Sequence, residues 1–432
     1  MNIIYIHTHD TGRYIEPYGY SIPTPNLMEF AKKATLFRQA FSTAPTCSPS
    51  RAGMLTGMSP HESGMIGLAH RGFTLNDYDK HLVNHLNKNG YKTVLCGMQH
   101  VAPEPEMIGY DQIIGINEFG DMDDLKNAEL AADFLNKDHE QPFFLSFGME
   151  YTHRSFTEIS DDIDPDYVKT PFPIHDNPQN RKDMAKYMST AQKADEAVGI
   201  VLEALEKNNL KEETMVIFTT DHGIAFPNMK CNLYDTGIGV SLIIDFPGNS
   251  KRGEVVDALI SQLDIYPTIC DILNIERPAW LEGNSMLPIF NDEKEEIRDE
   301  IFAEVTYHAA YEPMRAIRTR RYKYIKYFDE EKVIPANIDD SPAKEFLLEN
   351  GYLKKKHPKE YLFDLYFDPT ENKNLINDSD YQGIRHNLRE RLENWMKVTD
   401  DPLLKVERRV PKPEGAVVNK KECLSAEEDN FE

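Results

Sequence analysis

The residues able to do chemistry gather in a few short segments of this chain. Asp221 and His222 follow the apolar run TMVIFTT, and His7, His9 and Asp10 follow the apolar run NIIYI in the same manner. Carboxylates and imidazoles side by side can ligate a divalent metal. Two such groups meeting in space would complete one site of mixed oxygen and nitrogen donors. Either segment alone reads equally well as a polar loop with a helix cap, but the repeated pattern at two strand ends favours a metal. The third segment is Cys47-Ser48-Pro49-Ser50-Arg51, running on to Leu55-Thr56-Gly57. A cysteine entering a short helix meets backbone N–H groups that attract anions and lower a thiol pKa. Arg51, one turn further, adds a forked cation. Read from its residues, this is a reactive thiol or an anion site, or else a small buried cysteine. A fourth group is scattered: His100 in GMQH, His153 in EYTHR and Lys230 in FPNMKCNLY. Each alone is more often an ordinary surface or satisfied side chain, so their value rests on convergence.

Short β-runs alternating with helical stretches must position these residues. NIIYI at 2–6 reads as a buried strand, followed by a helix from about Pro25 to Lys33 with Thr24 as its cap. A helix near 80–89 stops at Gly90 and leads into the strand KTVLC. FFLSFGM at 143–149 and TMVIFTT at 214–220 read as strands, with a helix over 181–208 between them. The alternation predicts an α/β fold, a mostly parallel sheet flanked by helices on both faces. Three of the four chemical groups then lie outside the carboxyl ends of strands, where such sheets bind ligands. After about residue 310 the character changes. MRAIRTRRYKYIKYF predicts two antiparallel strands, and YLFDLYFDP and a helix near 380–397 follow. The expected division is a catalytic α/β domain over 1–310 and a small antiparallel-sheet plus helix domain over 311–432. The last fifteen residues, from Val418, are polar and expected to fray.

A formal charge of −24 argues against nucleic acid or an anionic membrane as partner. Any anion site must be a local basic pocket in an acidic surface. No window approaches the roughly 18 apolar residues of a membrane span. The five cysteines form no CxxC pair and read as reduced thiols. A soluble, cytoplasmic protein is expected.

The run CSPSRAGMLTG resembles the signature of the formylglycine-dependent (type I) sulfatases, in which a maturation enzyme oxidises the cysteine to formylglycine. NIIYIHTHDTG, GYKTVLCGMQH and VIFTTDHG are similar to that family's first metal loop, its Gly-Lys-x-His segment and its second metal loop. YTHR, DHGIAFPNMKCNLY, EVTYHAAYEPMRAIRTRRYKYI and YLFDLYFDPTENKNL resemble its heparan N-sulfatase (sulfamidase) branch. The likeness runs from residue 2 to about 403. It implies an alkaline-phosphatase-like fold with a smaller C-terminal domain. It also implies that Cys47, as formylglycine, is hydrated to a gem-diol whose one hydroxyl attacks sulfur. Asp10, Asp221 and His222 would hold one divalent metal with the modified Cys47, and Arg51 would hold the hydrate. His153 and Lys230 would face the sulfate and help the leaving group depart, and His100 would take a proton from the second hydroxyl. The partners implied are a small sulfated sugar or oligosaccharide, with N-sulfo or O-sulfo glucosamine as first expectation, and a formylglycine-generating maturation enzyme.

Three positions depart from the family pattern. His9-Asp10 stands where the family has Asp-Asp, and Asp221-His222 where it has Asp-Asn. Two imidazoles soften the site, so manganese competes with calcium, unless His9 turns away and leaves a poorer calcium site. Met98 stands where the family places a lysine beside the sulfate, forfeiting about 1.5–3 kcal/mol of charge-assisted contact if nothing replaces it. A phosphodiester or phosphonate monoester hydrolase on the same scaffold is the enzyme alternative. A non-catalytic anion-binding protein, with Cys47 left as a thiol, is the other.

Overall fold

The computed structural model describes residues 1–116, 120, 122–329, 332–406 and 409–432. Its larger sheet contains β1 (Asn2–Thr8), β2 (Thr35–Phe41), β3 (Lys92–Gly97), β4 (Gln112–Ile114), β5 (Phe143–Gly148), β6 (Thr214–Thr220), β7 (Leu242–Asp245) and β8 (Val255–Ser261). The order is β4-β3-β5-β1-β6-β7-β2-β8, parallel throughout except for the two pairings of β7. All seven residues of β1 are buried, which is why its sequence is continuously apolar through Ile6 and does not alternate.

Side chains on a strand alternate faces, and β1 splits the core accordingly. Ile3 and Tyr5 join one layer, Ile4 and Ile6 the other. Among the helices that cover the sheet are α1 (Pro25–Ala31), α2 (Cys47–Thr56), α3 (Leu82–Lys88), α4 (Asp124–Leu135), α5 (Pro178–Lys207) and α6 (Ile265–Leu273). The layer of Ile3 contains Ala52 of α2, Leu82 of α3 and Ile269 of α6. That of Ile4 contains Leu27 of α1, Ala131 of α4 and Val198 of α5. Each large aliphatic side chain so covered contributes roughly 1.5–3 kcal/mol. The helix starts follow from local chemistry. Asn177 caps α5 by accepting from Asn180 N at 2.8 Å, with Pro178 in the first turn. Thr24 does not cap α1 through its hydroxyl, which accepts instead from Glu16 N at 2.9 Å.

The second sheet is antiparallel, in the order β12-β11-β10-β9, from β9 (Glu300–Tyr307), β10 (Tyr311–Thr319), β11 (Tyr322–Tyr327) and β12 (Glu360–Asp364). It therefore begins at Glu300, ahead of the compositional change near 310, because EIFAEVTY lacks the basic-aromatic bias of the strands after it. The helices α7 (Pro342–Glu349) and α8 (Gln382–Val398) belong to the same region. Leu388, Leu392 and Met396 of α8 pack on Ile317, Tyr324 and Leu362 of this sheet. Its other face meets Phe41, Leu233 and Leu259 of the larger domain.

The expectation of a frayed C-terminus is corrected. Val418 and Asn419 are fully buried, and Asn419 bridges to Ala310 and Phe431. Arg71 donates to Asn419 Oδ1 at 2.6 Å and to the Ala426 carbonyl at 2.9 Å. Polar composition misleads here because side-chain hydrogen bonds to Asn419 and Ala426, together with burial of Val418 and Cys423, tie the segment down. All five cysteines are buried and unpaired. Among the described residues no helix is long and apolar enough to cross a membrane.

Candidate active site

Parallel register places the site. His7 of β1 lies level with Thr219 of β6 and Gly148 of β5, and Gly148 lies level with Gly97 of β3. The loops that follow these strands therefore leave the sheet on one edge, carrying His9 and Asp10, Asp221 and His222, His153, and His100. The two imidazoles of the first segment part company. His7 is still within β1, stacks on Tyr5 at 4.4 Å and accepts a hydrogen bond from Arg51 at Nδ1. His9, beyond the strand, turns into the cluster and does not turn away.

His9, Asp10, Cys47, Asp221 and His222 each offer one donor atom, and these atoms lie within 4.8 Å of one another, all buried. His9 Nδ1 is 2.8 Å from Asp10 Oδ1 and 3.3 Å from Asp221 Oδ2. His222 Nε2 is 3.2 Å from Asp10 Oδ1 and 3.4 Å from Cys47 Sγ. Its Nδ1 lies 2.9 Å from the Gly223 carbonyl, an acceptor only, so Nδ1 carries the proton and Nε2 turns a lone pair into the cluster. Asp221 Oδ1 accepts from the backbone of Asp10 at 2.8 Å and of His222 at 2.9 Å, which locks the two loops together. Burial pushes the Asp10 carboxyl up, but Lys230, His222, His153 and His9 outweigh it and hold it well below the carboxylate range. Asp221 is likewise held anionic against burial by His222, His9 and Arg51. Burial above all keeps His222 neutral. Two carboxylates and two imidazoles, beside a sulfur, make a donor set that fits a divalent cation of borderline softness.

Cys47 is the first residue of α2 and 2% exposed. The expected lowering of its thiol pKa is overturned. Burial pushes the thiol well up, Asp10 and Asp221 push the same way, and Lys230 and Arg51 only partly offset them. A helix terminus cannot hold a thiolate beside two carboxylates in a dry site. Arg51, 1% exposed, donates to Asp221 Oδ2 at 3.0 Å and to the Thr8 carbonyl at 3.0 Å, while its Nε is buried without a hydrogen-bond partner among the described residues. That orphaned donor suits one further acceptor at this end of α2.

Lys230 Nζ reaches Asp10 Oδ2 at 2.7 Å, His153 Nε2 at 3.2 Å and Asp339 Oδ1 at 3.2 Å. His153 directs Nδ1 at the Arg154 carbonyl, and burial and Lys230 lower its pKa to about 3. His100 Nδ1 lies 3.3 Å from His9 Nε2, and His100 Nε2 lies 2.9 Å from His70 Nδ1. The fold thus brings together every residue singled out above, with Met98 2% exposed at the end of β3. Sequence reasoning missed Asp339, His70 and His308: Asp339 and His70 come from segments that follow no strand, and His308 follows β9, a strand the apolar pattern did not predict. The doublet Asp339-Asp340 before Ser341 reads like any solvated turn.

Comparison with known proteins agrees with this geometry. The Sulfatase family model matches residues 1–275, and the model of the N-sulphoglucosamine sulphohydrolase C-terminal region matches residues 226–344. Human N-sulphoglucosamine sulphohydrolase is 31% identical over 458 residues, covering 93% of this chain and 91% of its own. A protein solved with its substrate D-glucosamine-2-N,6-O-disulfate superposes with a TM-score of 0.73 at 19% identity, covering 94% of this chain and 99% of that one. A crystal structure from Bacteroides thetaiotaomicron, titled a "putative sulfatase", gives a TM-score of 0.75 at 22% identity, covering 99% of each chain. With a family model matched over residues 1–275 and a relative 31% identical over 93% of its length, the chain belongs to the sulfatase family.

Proposed function

We propose that this sulfatase hydrolyses a sulfated sugar of the N-sulfo or O-sulfo glucosamine class, using Cys47 as formylglycine and one divalent metal held by His9, Asp10, Asp221, His222 and residue 47. The observation that carries the reading is the position of Cys47, first in α2 and in a buried cluster with four other side chains whose donor atoms could hold a metal. The substrate class is supported by the human relative, an N-sulphoglucosamine sulphohydrolase, and by the related fold solved with a doubly sulfated glucosamine. When bound, the metal supplies Lewis-acid polarisation and the formylglycine supplies a hydroxyl nucleophile. The chain's own residues do the rest. Arg51, fixed on Asp221 and the Thr8 carbonyl, adds positive charge near residue 47. Lys230 supplies positive charge, and His153, neutral at Nε2, relays protons on the solvent side of it. His100 stands against His9 on the opposite flank, between His9 and His70, where it can pass a proton from residue 47 toward His70. Manganese is favoured over calcium by the two imidazoles. A reducing, cytoplasmic location is part of this reading, supported by five unpaired thiols.

The test is the mass of the tryptic peptide Gln39–Arg51 from protein made with a formylglycine-generating enzyme. It is expected about 18 Da lighter than the thiol form, and the matured protein should then hydrolyse aryl sulfate and a sulfated glucosamine with Mn2+. An intact thiol under these conditions removes the nucleophile and leaves an anion-binding protein. Faster turnover of aryl phosphonate than of aryl sulfate at saturating metal would assign the phosphonate hydrolase instead.

A further inference from the structure

Away from the metal cluster, a cavity of about 650 Å3 opens where the second sheet meets the β2–β8 edge of the first. Arg13, Tyr20 and Gln39 line it from the larger domain, and Arg318, Arg320 and Tyr366 from the smaller. It is of ligand-binding size, and neither Lys230 nor any of the five cluster donors lines it. Its buried charges do not balance. Arg318 donates to Asp235 at 2.9 and 3.2 Å, and Lys323 lies 2.6 Å from Asp235 and 2.7 Å from Glu371. Arg13 is the third cation of the group and has no acid of its own. Among the described residues it donates to one acceptor, the Ala40 carbonyl at 2.8 Å, and forms no ion pair, and its Nε is buried without a hydrogen-bond partner. Arg13 and Arg318 lie against the same ring, Phe41, at 4.5 and 4.2 Å, which holds two guanidiniums close together. Three cations therefore meet two carboxylates.

Burial disfavours the charge on Arg13, and Asp235, already shared by Arg318 and Lys323, only partly offsets it. The remaining acid that lines the cavity, Asp257, is exposed at the rim, and Arg320 beside it pairs with Glu296 at 3.1 Å. In a chain with 72 acidic against 48 basic residues, a half-buried guanidinium without a carboxylate is not what composition supplies. It is unfavourable unless an anion comes from outside. The excess is one positive charge. That matches a sulfate ester better than a phosphate monoester, which carries about −1.5 to −2 at neutral pH. A guanidinium presents its N–H donors in the fork that suits such an oxyanion. Tyr20 and Tyr366, 39% and 65% exposed, stand at the same cavity. Each offers a flat apolar face with a polar tip, and a pyranose ring has C–H groups on its faces and hydroxyls around its rim.

We propose that this cavity is a second, non-catalytic carbohydrate site, in which Arg13 holds the sulfo group of a sugar and Tyr20 and Tyr366 stack on its ring. The site lies between the two domains and is separate from the chemistry at Cys47, on which it does not depend.

The experiment uses the full chain made without a maturation enzyme, so that Cys47 stays a thiol and the probe, glucose 6-sulfate, is not consumed. Amide hydrogen exchange over residues 365–370 is followed as the probe is added. Slower exchange there is expected, and the probe concentration at half-protection reads the affinity of this cavity and not of the catalytic cleft. Arg13→Gln should raise that concentration about tenfold or more, the effect of one charge-assisted hydrogen bond, and Tyr20→Ala about threefold or more. Glucose and inorganic sulfate should each need at least about tenfold more than glucose 6-sulfate, and glucose 6-phosphate should bind less tightly than the sulfate ester. Should Arg13→Gln not fold, Tyr20→Ala and the wild-type comparison with glucose, which lacks only the charged group, decide the matter. No protection in wild type, or an unchanged midpoint in Arg13→Gln, overturns the site. Inorganic sulfate as effective as glucose 6-sulfate overturns the sugar, and tighter binding of glucose 6-phosphate overturns the sulfo group. Loss of the sulfatase reading at Cys47 would leave each of these outcomes unaffected.

Discussion

At the scale of single residues, His222 shows how a neighbour decides which ring nitrogen a histidine presents. The Gly223 carbonyl fixes the proton on Nδ1, so Nε2 is presented to the cluster without a tautomeric choice. Replacing the ring by an amide, His222→Asn, exchanges a borderline nitrogen for a hard oxygen that suits calcium. Titration of the full chain should show Mn2+ bound at least tenfold more tightly than Ca2+ in wild type, with the preference narrowed or reversed in His222→Asn. Equal preference in the two proteins would mean that His222 does not ligate. Residue identity was legible in the sequence where chemistry coincided with a strand end, as for Asp10, Asp221 and His222. It was legible for Cys47 and Arg51 because an eleven-residue run carried them. It was not legible for Asp339, which acquires meaning only when the second sheet docks beside Lys230. The protonation state of Cys47 was misread because a helix start is visible in sequence and two carboxylates packed against it from other loops are not.

At the scale of elements, the loop after β6 works because a glycine lets two backbones touch. A Cβ on Gly223 would lie 1.9 Å from the Thr236 carbonyl oxygen and 3.0 Å from Gly237 Cα, both main-chain atoms that cannot swing aside. Gly223 also donates to the Gly237 carbonyl at 2.8 Å, and the His222 carbonyl accepts from Gly12 N at 2.8 Å. Gly223→Ala must therefore push the Asp221-His222 pair away from Asp10. It should destabilise by about 3 kcal/mol, at the upper end of overpacking costs, and cut sulfatase activity at least a hundredfold through misplacement of ligands. Gly90→Ala is the control. Nothing lies within 4 Å of its Cβ position, and only its positive φ of 83° is penalised. It should cost about 1 kcal/mol and leave activity within threefold, as thermal melts and initial rates would show. Comparable activity losses in the two variants would refute the close-contact argument. The strands and long helices around this loop were legible from apolar runs, since burial on both faces of β1 writes a continuous pattern. The start of the second sheet and the tied-down tail were not. Register and side-chain hydrogen bonding fix them, and neither leaves a periodicity.

At the scale of the whole molecule, the second sheet is tied to the helical layer of the larger domain by a buried charge network as well as by apolar packing. Glu304 of β9 accepts from the backbone of His61 at 2.8 Å and lies 2.9 Å from its Nδ1. Arg315 of β10 lies 3.0 Å from Glu304 and 2.6 Å from Asp401, which follows α8. Arg315 and Asp401 are fully buried and Glu304 nearly so. Removing the guanidinium leaves two carboxylates without their cation, so Arg315→Met should cost about 3–5 kcal/mol. The pH dependence follows from two opposite shifts. Burial alone would lower the His61 pKa, but Glu304 raises it above the ordinary imidazole value of 6.5, so its contribution is complete below pH 6.5 and is lost as pH rises through the folded value. Burial opposes ionisation of Glu304 too, yet Arg315 and His61 bring its pKa to about 2 from 4.5, so its contribution is present above pH 4.5 and fades as pH falls toward 2. The joint is therefore tightest between about pH 4.5 and 6.5. Guanidinium unfolding of wild type should show stability declining from pH 6 to pH 9, with part of that slope removed in His61→Gln, because glutamine can keep the hydrogen bond but cannot titrate. An identical alkaline slope in both proteins would show that the protonated ring does not tie the second sheet to the larger domain. The cost matters for function, since the same joint seats the domain that carries Asp339 beside Lys230.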